Sequence, residues 1–293
     1  SRGYQFVAPV YLRHKYDATI TNNIVYNLTR ALYGKRIRQP IGGDFAISRD
    51  VAKFYAEQDV WLTDVARFGI DIWMTTSAIT QGFRICQSNL GVKIHDVKDP
   101  GQHLGPMFRQ VLSALFSLME RYESYWKNIK GSEPLETFGF EGGLEPEPVK
   151  VNLDLLIDLF KTGYQQLSPL WRDIFDETSF KQISETACMD AKDFHLPMEA
   201  WVKILYELAA TYRLWTVNRS KLVDMMTPLY FARVASFVRQ SRDMSAREAE
   251  ELVEEQALRF EEQKDFLIKI WDEKASPTSK ADPKIKMDCP VDG

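Results

Sequence analysis

Hydrophobic side chains recur with helical spacing through most of the chain beyond Pro100, and this periodicity constrains the fold more than any other feature. Residues 105–130 show it most clearly, because their apolar side chains fall on one face of a helix and Gly131 ends the pattern. The apolar positions are Phe108, Val111, Leu112, Leu115, Leu118 and Met119. The same reasoning predicts helices at 153–167, 169–175, 198–217, 222–240 and from 245 toward 271.

The segments between these helices indicate how the chain is divided. Residues 131–150 are rich in Gly, Pro and Glu, which predicts a linker or surface loop. Ser245 and Glu248 have the spacing of a capping box at the start of the last helix. Residues 276–293 combine prolines with several charges, which predicts a disordered tail. We therefore predict a helical region over 105–275.

The first part of the chain, up to His95, mixes strand and helix signals. Strands are predicted at 6–12, 70–77 and 83–94, and helices at 19–33, 48–58 and 61–68. Gly34 has the position of a left-handed C-cap, and Ser48 that of an N-cap. This alternation is typical of layered α/β folds. We therefore predict an α/β region over 1–104, followed by the mainly α-helical region.

Composition narrows the class of protein. With 293 residues and 45% hydrophobic content, the chain can bury a sizeable core. It contains no apolar run near the roughly 20 residues that cross a bilayer, and we predict no membrane span. The three cysteines lack a CxxC pair, which favours a reducing, cytoplasmic setting over disulfides or a thiolate zinc site. Because the chain starts without Met just before a strand, we expect a truncated amino terminus.

Charge is unevenly distributed although the net charge is only −4. Residues 1–40 contain seven basic side chains and one acidic side chain, Asp17. Nucleic-acid binding would need a longer run of basic and stacking aromatic residues, so we predict no nucleic-acid partner. A small phosphate or carboxylate ligand and a simple solvated basic face both remain open.

Two short segments carry residues able to do chemistry. In residues 89–96, His95 ends a predicted strand, where open α/β sheets place ligand sites. An imidazole there can complete a divalent-metal site shared with a nucleotide diphosphate, or it can be structural. In residues 39–44, the paired glycines permit close approach of a ligand, and Asp44 can accept hydrogen bonds from hydroxyl groups. An ordinary turn is the alternative for this segment.

A third segment places an acid within apolar sequence. Asp71 interrupts the predicted strand at 70–77, and a buried acid needs either a partner or a site to face. Asp64, in the predicted helix before it, is a similar candidate or part of a solvated helix face.

The order of these segments resembles a known family. Pro-x-Gly-Gly-Asp at 40–44, Phe-Gly-Ile-Asp-Ile at 68–72 and Asn-Leu-Gly-Val-Lys-x-His at 89–95 occur in succession. This succession resembles the retaining GT-A glycosyltransferases that form glucosyl-3-phosphoglycerate and, more distantly, mannosylglycerate synthase. The resemblance covers roughly residues 6–100. It implies a Rossmann-like GT-A sheet, of which this chain holds the carboxyl-terminal part.

The resemblance also implies roles for individual residues. Asp71 corresponds to the acid that holds hydroxyls of the donor sugar, and Asp44 to an acid near the acceptor or the transferring sugar. His95 corresponds to a ligand of Mg²⁺ or Mn²⁺, and Lys93 to a positive charge near the donor phosphates. Gly43 would allow the substrate to approach the backbone.

The implied partners are a UDP- or GDP-hexose and a small hydroxy acid. Thr21 matches the family's acceptor loop, but the arginine of that loop is absent here. We therefore expect glycerate or a similar acceptor, with Arg13 or Lys15 assisting. The Asp-x-Asp motif and first nucleotide-binding strands of such enzymes are not found in this sequence, so we expect little catalysis from these residues alone.

Two other functions stay open at the level of sequence. The helices beyond Pro100 are compatible with a non-catalytic interaction module or a homodimer interface, although they can equally cover the sheet. A metal-dependent hydrolase built on His95, Asp96 and His103 is the second alternative, but it lacks a compact ligand spacing.

Overall fold

A four-stranded mixed sheet combines three strands of the first region with one short strand from residues 131–150, the segment predicted to be a linker or surface loop. The computed structural model describes residues 2–93, 105–140, 142 and 145–275. Strands β1 (Phe6–Leu12), β2 (Ala46–Ile47), β3 (Ile85–Val92) and β4 (Thr137–Phe138) are ordered β2-β1-β3-β4. Strand β1 is parallel to β3, β3 is parallel to β4, and β2 pairs antiparallel with β1. The predicted strands at 6–12 and 83–94 and the α/β class are thus confirmed.

In the described part of the chain before residue 94, the helices beside the sheet are α1 (Tyr26–Tyr33), α2 (Arg49–Ala56) and α3 (Ile70–Thr80). A buried π-helical turn, Thr21–Val25, precedes α1. Gly34 ends α1 in the left-handed conformation, with φ 70°, as predicted. The Ser48 side chain caps α2 by accepting a hydrogen bond from the Val51 amide, also as predicted.

Two predictions in this region were wrong. Residues 70–77 belong to helix α3 rather than to a strand, and 61–68 contain only a short 3₁₀ turn, Asp64–Ala66. Most side chains of α3 are buried, so its apolar run shows no helical periodicity. Its isoleucines and threonines are also typical of strands. Periodicity alone cannot distinguish such a buried helix from a buried strand.

The second region is helical, as predicted, but its boundaries differ. The helices are α4 (Gly105–Arg121), α5 (Glu123–Trp126), α6 (Leu153–Ile174), α7 (Glu177–Cys188), α8 (Met198–Leu214), α9 (Arg219–Asp224), α10 (Thr227–Gln240), α11 (Ala246–Glu262) and α12 (Lys264–Ala275). Helix α6 continues through Pro169, so one helix replaces the two that were predicted. Helix α7 was not predicted, although Asp176 caps it at its first turn. The capping box of Ser245 and Glu248 is present at α11.

Buried apolar side chains from both regions form one cluster. It includes Phe6 and Trp73 from the sheet region and Trp201 and Trp271 from the helical region. Helix α1 packs against α11, α6 against α10, and α8 against α12. Of the tryptophans beyond Pro100, Trp126, Trp171, Trp201 and Trp271 are fully buried, and Trp215 is half-buried. No helix in the described part of the chain is long and apolar enough to cross a membrane.

Candidate functional site

The carboxyl ends of β1 and β3 face the loop of residues 39–44 and the first turn of α3. Gly42 brings this loop directly onto β1: a Cβ atom at this position would lie 2.4 Å from Cγ of Pro9. The Thr75 hydroxyl donates to the Pro40 carbonyl oxygen at 2.7 Å, which fixes α3 against the same loop. The carboxyl ends of β1 and β3 and the first turn of α3 therefore lie close together, which is where open α/β sheets usually bind ligands.

Side chains from β1 and the loop form a hydrogen-bonded network at this place. Gln39 Nε2 donates to the Tyr11 carbonyl oxygen at 2.8 Å, and Arg13 Nε donates to Gln39 Oε1 at 3.3 Å. Arg13 Nη1 also forms an ion pair with Asp17 Oδ2 at 3.0 Å. The guanidinium of Arg13 is thereby oriented by two partners, and it lies 5.7 Å from the centre of the Tyr11 ring.

Asp44 lies at the centre of the polar contacts. Its Oδ2 atom accepts hydrogen bonds from the Tyr11 hydroxyl at 2.6 Å and from the Lys93 ammonium. Lys93 Nζ lies 4.2 Å from the centre of the Tyr11 ring, so the three side chains are in mutual contact. The hydrogen bonds from Lys93 and then Tyr11 lower the pKa of Asp44, because they stabilise its ionised form.

Asp71 approaches the same place from the first turn of α3. Gly43, with φ 89°, adopts a conformation that favours glycine, and a Cβ atom built on it would lie 3.8 Å from Asp71 Oδ2. Burial, reinforced by the negative charge of Asp44 and opposed by Lys93, raises the pKa of Asp71 to about 6. Within the described part of the chain, no side chain donates a hydrogen bond to its carboxyl group.

The pKa values of the two carboxyl groups are consequently shifted in opposite directions. The pKa of Asp44 is lowered by its hydrogen bonds, whereas that of Asp71 is raised to about 6 by burial. Environments that separate the pKa values of neighbouring acids are a common feature of sites that bind hydroxyl groups or move protons. The arrangement places the carboxyl oxygens of Asp44 and Asp71 near two cations, Lys93 and Arg13, which are paired with Asp44 and Asp17 respectively.

The structure brings together five of the nine residues that the sequence singled out: Arg13, Gly43, Asp44, Asp71 and Lys93. Lys15 instead directs its ammonium toward carbonyl oxygens at the end of α10. Thr21 is buried in the π-helical turn. Asp64 lies in a 3₁₀ turn, and its side chain lies outside the described part of the structure. His95, Asp96 and His103 also lie outside the described residues.

The side chains at the site also bear on whether a metal ion could bind there. Among the described residues, no group of three or more His, Cys, Asp or Glu side chains is placed to hold a metal ion. Two of the nearby acids are also engaged, since Asp44 is bound by Lys93 and Tyr11, and Asp17 by Arg13. The described residues alone therefore do not form a complete Mg²⁺ or Mn²⁺ site.

Tyr11 and Gln39 were not among the predicted site residues. Tyr11 occurs near the end of a predicted strand, and Gln39 begins the Gly-Gly-Asp segment, so position alone could have identified both. The Arg13 and Asp17 pair has the i, i+4 spacing that indicates an ion pair, but this spacing is common on any helix or turn.

A separate concavity of about 290 Å³ lies near the amino ends of β1 and β3. Tyr4, Lys35, Arg84 and Glu133 contribute to its lining. Lys35 is paired with Glu133, and Arg84 packs 5.1 Å from the centre of the Tyr4 ring. Its charges already have partners within the protein, and it lies at the opposite end of the strands from Asp44.

The sequence matches no protein-family model and no curated protein. The features of the chain that bear on its function are therefore the geometry around Asp44 and Asp71 and the sequence of the three segments that contain Asp44, Asp71 and Lys93.

Proposed function

We propose that this chain carries the acceptor and donor-sugar side of a GT-A glycosyltransferase. The enzyme would transfer a hexose, with retention of anomeric configuration, from a UDP- or GDP-sugar to glycerate or a similar small hydroxy acid. One observation supports the proposal. The three segments that resemble the family contribute Gly43, Asp44, Asp71 and Lys93, and these residues lie together at the carboxyl ends of two parallel strands. Their order along the chain is the order in the family that they resemble.

Each residue has a role in the proposal that follows from its contacts. Asp71, in the first turn of α3, would accept hydrogen bonds from hydroxyls of the donor sugar. Asp44 would hold the acceptor hydroxyl beside the anomeric carbon, with its charge balanced by Lys93 and its orientation set by Tyr11. Arg13 would bind the carboxylate of the acceptor. The contribution of these residues is one of positioning, since alignment of two substrates alone can supply several kcal/mol of the barrier reduction.

The divalent cation belongs to the proposal as an expectation from resemblance. Mg²⁺ or Mn²⁺, held with the participation of His95, would stabilise the departing nucleoside diphosphate as a Lewis acid. The side chains of Lys93 and Arg13 would add positive charge near the substrates.

Transfer should be measured in the natural gene product that contains these residues. UDP-glucose and GDP-mannose are each supplied with glycerate or 3-phosphoglycerate and with Mg²⁺ or Mn²⁺, and glycosylated product is detected by mass spectrometry. Asp71→Asn and Asp44→Asn should each lower kcat/KM by at least about 100-fold, because both remove a contact to the reacting groups. Asp158→Asn, on the exposed side of α6, is the control and should keep full activity.

Two outcomes would overturn the proposal. Transfer that is unaffected by Asp71→Asn and Asp44→Asn would place the reaction elsewhere. If no nucleotide sugar binds and no product forms under any of these conditions, the transferase is excluded and the helical interaction module takes its place. Metal binding that is indifferent to nucleotide would instead favour the hydrolase.

A further inference from the structure

The segment between β1 and the π-helical turn, residues 13–18, is attached to the far end of α10. Lys15 Nζ donates hydrogen bonds to the main-chain oxygens of Ser241 at 2.6 Å, Arg242 at 3.0 Å and Met244 at 2.6 Å. These three oxygens, called the carbonyl site below, belong to a turn more than 200 residues away in sequence. Lys15 thus connects the candidate site to the helical region.

The chemistry of the carbonyl site matches a monovalent cation. An ammonium group has three N–H donors, and here each has a carbonyl partner. The oxygens follow the carboxyl end of α10, where carbonyl groups lack helical partners and the helix dipole is negative. Main-chain carbonyl oxygens at such distances also replace the hydration shell of potassium in proteins. The lysine therefore occupies a position that a free cation could fill.

The rest of the segment is held in a single conformation. The Tyr16 hydroxyl donates to the Val238 carbonyl oxygen at 3.3 Å, and its ring packs against buried apolar residues. Asp17 Oδ1 accepts from the Ala18 amide at 2.8 Å, and Ala18 has φ 60°, a conformation that is costly for a residue with a Cβ atom. Such a conformation persists only where the surroundings impose it, and the contacts of Lys15 and Tyr16 supply that constraint.

We propose that Lys15 is a positioning residue that acts as a tethered monovalent cation. Its ammonium fills the carbonyl site and thereby holds the segment that presents Arg13 and Asp17 to the candidate site. When the side chain is shortened, the empty carbonyl site takes ammonium or potassium from solution. The inference concerns a cation site and a loop conformation, so it stands or fails independently of glycosyl transfer.

The first test uses Lys15→Met, which keeps the bulk of the side chain and removes the charge. Amide hydrogen exchange of residues 13–18 should accelerate at least about tenfold, and Tm should fall by about 2–4 °C. Ammonium or potassium chloride at 200 mM should restore at least half of both effects, whereas tetramethylammonium chloride at the same concentration should not. Lys53→Met, which removes an exposed lysine on α2, should show neither the defect nor the response.

The second test uses the unchanged protein, so it does not depend on the folding of a variant. Brief treatment with an amine-acylating reagent, followed by peptide mass spectrometry, should modify Lys15 at least about tenfold more slowly than Lys53, because each N–H of Lys15 is hydrogen-bonded. Equal reactivity of the two lysines overturns the proposal. So does a Lys15→Met protein whose exchange and Tm respond equally to ammonium and tetramethylammonium, since that result reflects ionic strength alone.

Discussion

At the scale of single residues, Asp44 and Asp71 lie close together but differ in exposure and in hydrogen bonding, and their pKa values differ as a result. The side chain of Asp44 is more than half exposed and is bound by Lys93 and Tyr11. Asp71 is more deeply placed and faces the charge of Asp44. Ionisation of Asp71 is therefore costly to the fold, while ionisation of Asp44 is favoured. A half-buried carboxyl group with a raised pKa is common in functional sites, and this is the reason for the proposed contact of Asp71 with sugar hydroxyls.

Replacement of Asp71 by Asn should stabilise the protein in a pH-dependent way. The pKa of Asp71 rises from 3.8 in the unfolded reference to about 6 in the folded protein. The folded state therefore binds the proton more tightly, and stability falls as pH increases from about 4 to about 6. Asp71→Asn should increase the free energy of unfolding by about 1–3 kcal/mol at pH 7.5 and by almost nothing at pH 4. Urea unfolding at the two pH values measures the difference.

Asp158→Asn controls for the amide substitution itself. An Asp71→Asn protein that is less stable than wild type at pH 7.5 would mean that the carboxylate has a favourable partner, and the assignment of its raised pKa to burial would be wrong. Loss of activity together with a gain of stability would instead identify Asp71 as a group retained for function at the expense of stability.

Sequence reasoning predicted which side chains lie close together better than it predicted their contacts. Asp44, Asp71 and Lys93 were selected from short segments whose residue types suit hydroxyl or phosphate ligands, and these side chains do converge. The pairing of Tyr11 with Asp44 and the attachment of Lys15 to α10 were not foreseen. Both depend on contacts between residues far apart in sequence, with separations of 33 and 226 positions, which local patterns cannot report.

Helix α3 shows at the scale of elements why Asp71 lies near Asp44 although the secondary structure predicted for residues 70–77 was wrong. If residues 70–77 formed a strand, Asp71 would be part of the sheet. They form a helix instead, and Asp71 lies in its first turn, near the carboxyl ends of β1 and β3. Acids are common in the first turn of helices because they complement the helix dipole. Surface helices with one apolar face were easier to predict, because their apolar residues keep the 3.6-residue spacing of a helix. The π-helical turn Thr21–Val25 was beyond prediction, because its free carbonyls depend on Gln256 and Trp201 from the helical region.

The contact between α6 and α10 gives a prediction at the same scale. Gly163 is buried in α6, and a Cβ atom at this position would lie 2.4 Å from Cβ and Cγ of Pro228. Alanine is the better helix former by about 1 kcal/mol, but here it would force the two helices apart. Gly163→Ala should therefore lower the free energy of unfolding by about 1–3 kcal/mol, as overpacked cores do.

Urea unfolding measures this effect, and Gln165→Ala on the exposed side of α6 provides the control, with a change within about 0.5 kcal/mol. A Gly163→Ala protein that is more stable than wild type would show that propensity outweighs the contact with Pro228, and that the two helices have room to separate at little cost.

At the scale of the whole molecule, charged side chains connect the sheet region to the helical region. Arg30, only 5% exposed, pairs with Glu254 and Glu261 of α11, each at 2.6 Å. Arg38 forms two hydrogen bonds with Glu250, and the Tyr26 hydroxyl donates to Glu254. Removing Arg30 would leave the carboxylates of Glu254 and Glu261 without their partner. The loss of stability is then larger than the net stabilisation that the intact ion pair provides. Together with the shared apolar cluster, these contacts favour unfolding of both regions in one step.

Arg30→Met tests this coupling. The substitution should lower the free energy of unfolding by about 3 kcal/mol, whereas Arg247→Met, which removes a 91% exposed arginine from α11, should cost less than about 1 kcal/mol. Hydrogen exchange at increasing urea concentration, followed separately in β3 and α8, should give the same midpoint for both elements in wild type and in Arg30→Met. Two midpoints in wild type would mean that the predicted regions 1–104 and 105–275 fold independently. Because α11 and α10 hold the segments that carry Arg38 and Lys15, a single midpoint would mean that the candidate site exists only when the helical region is folded.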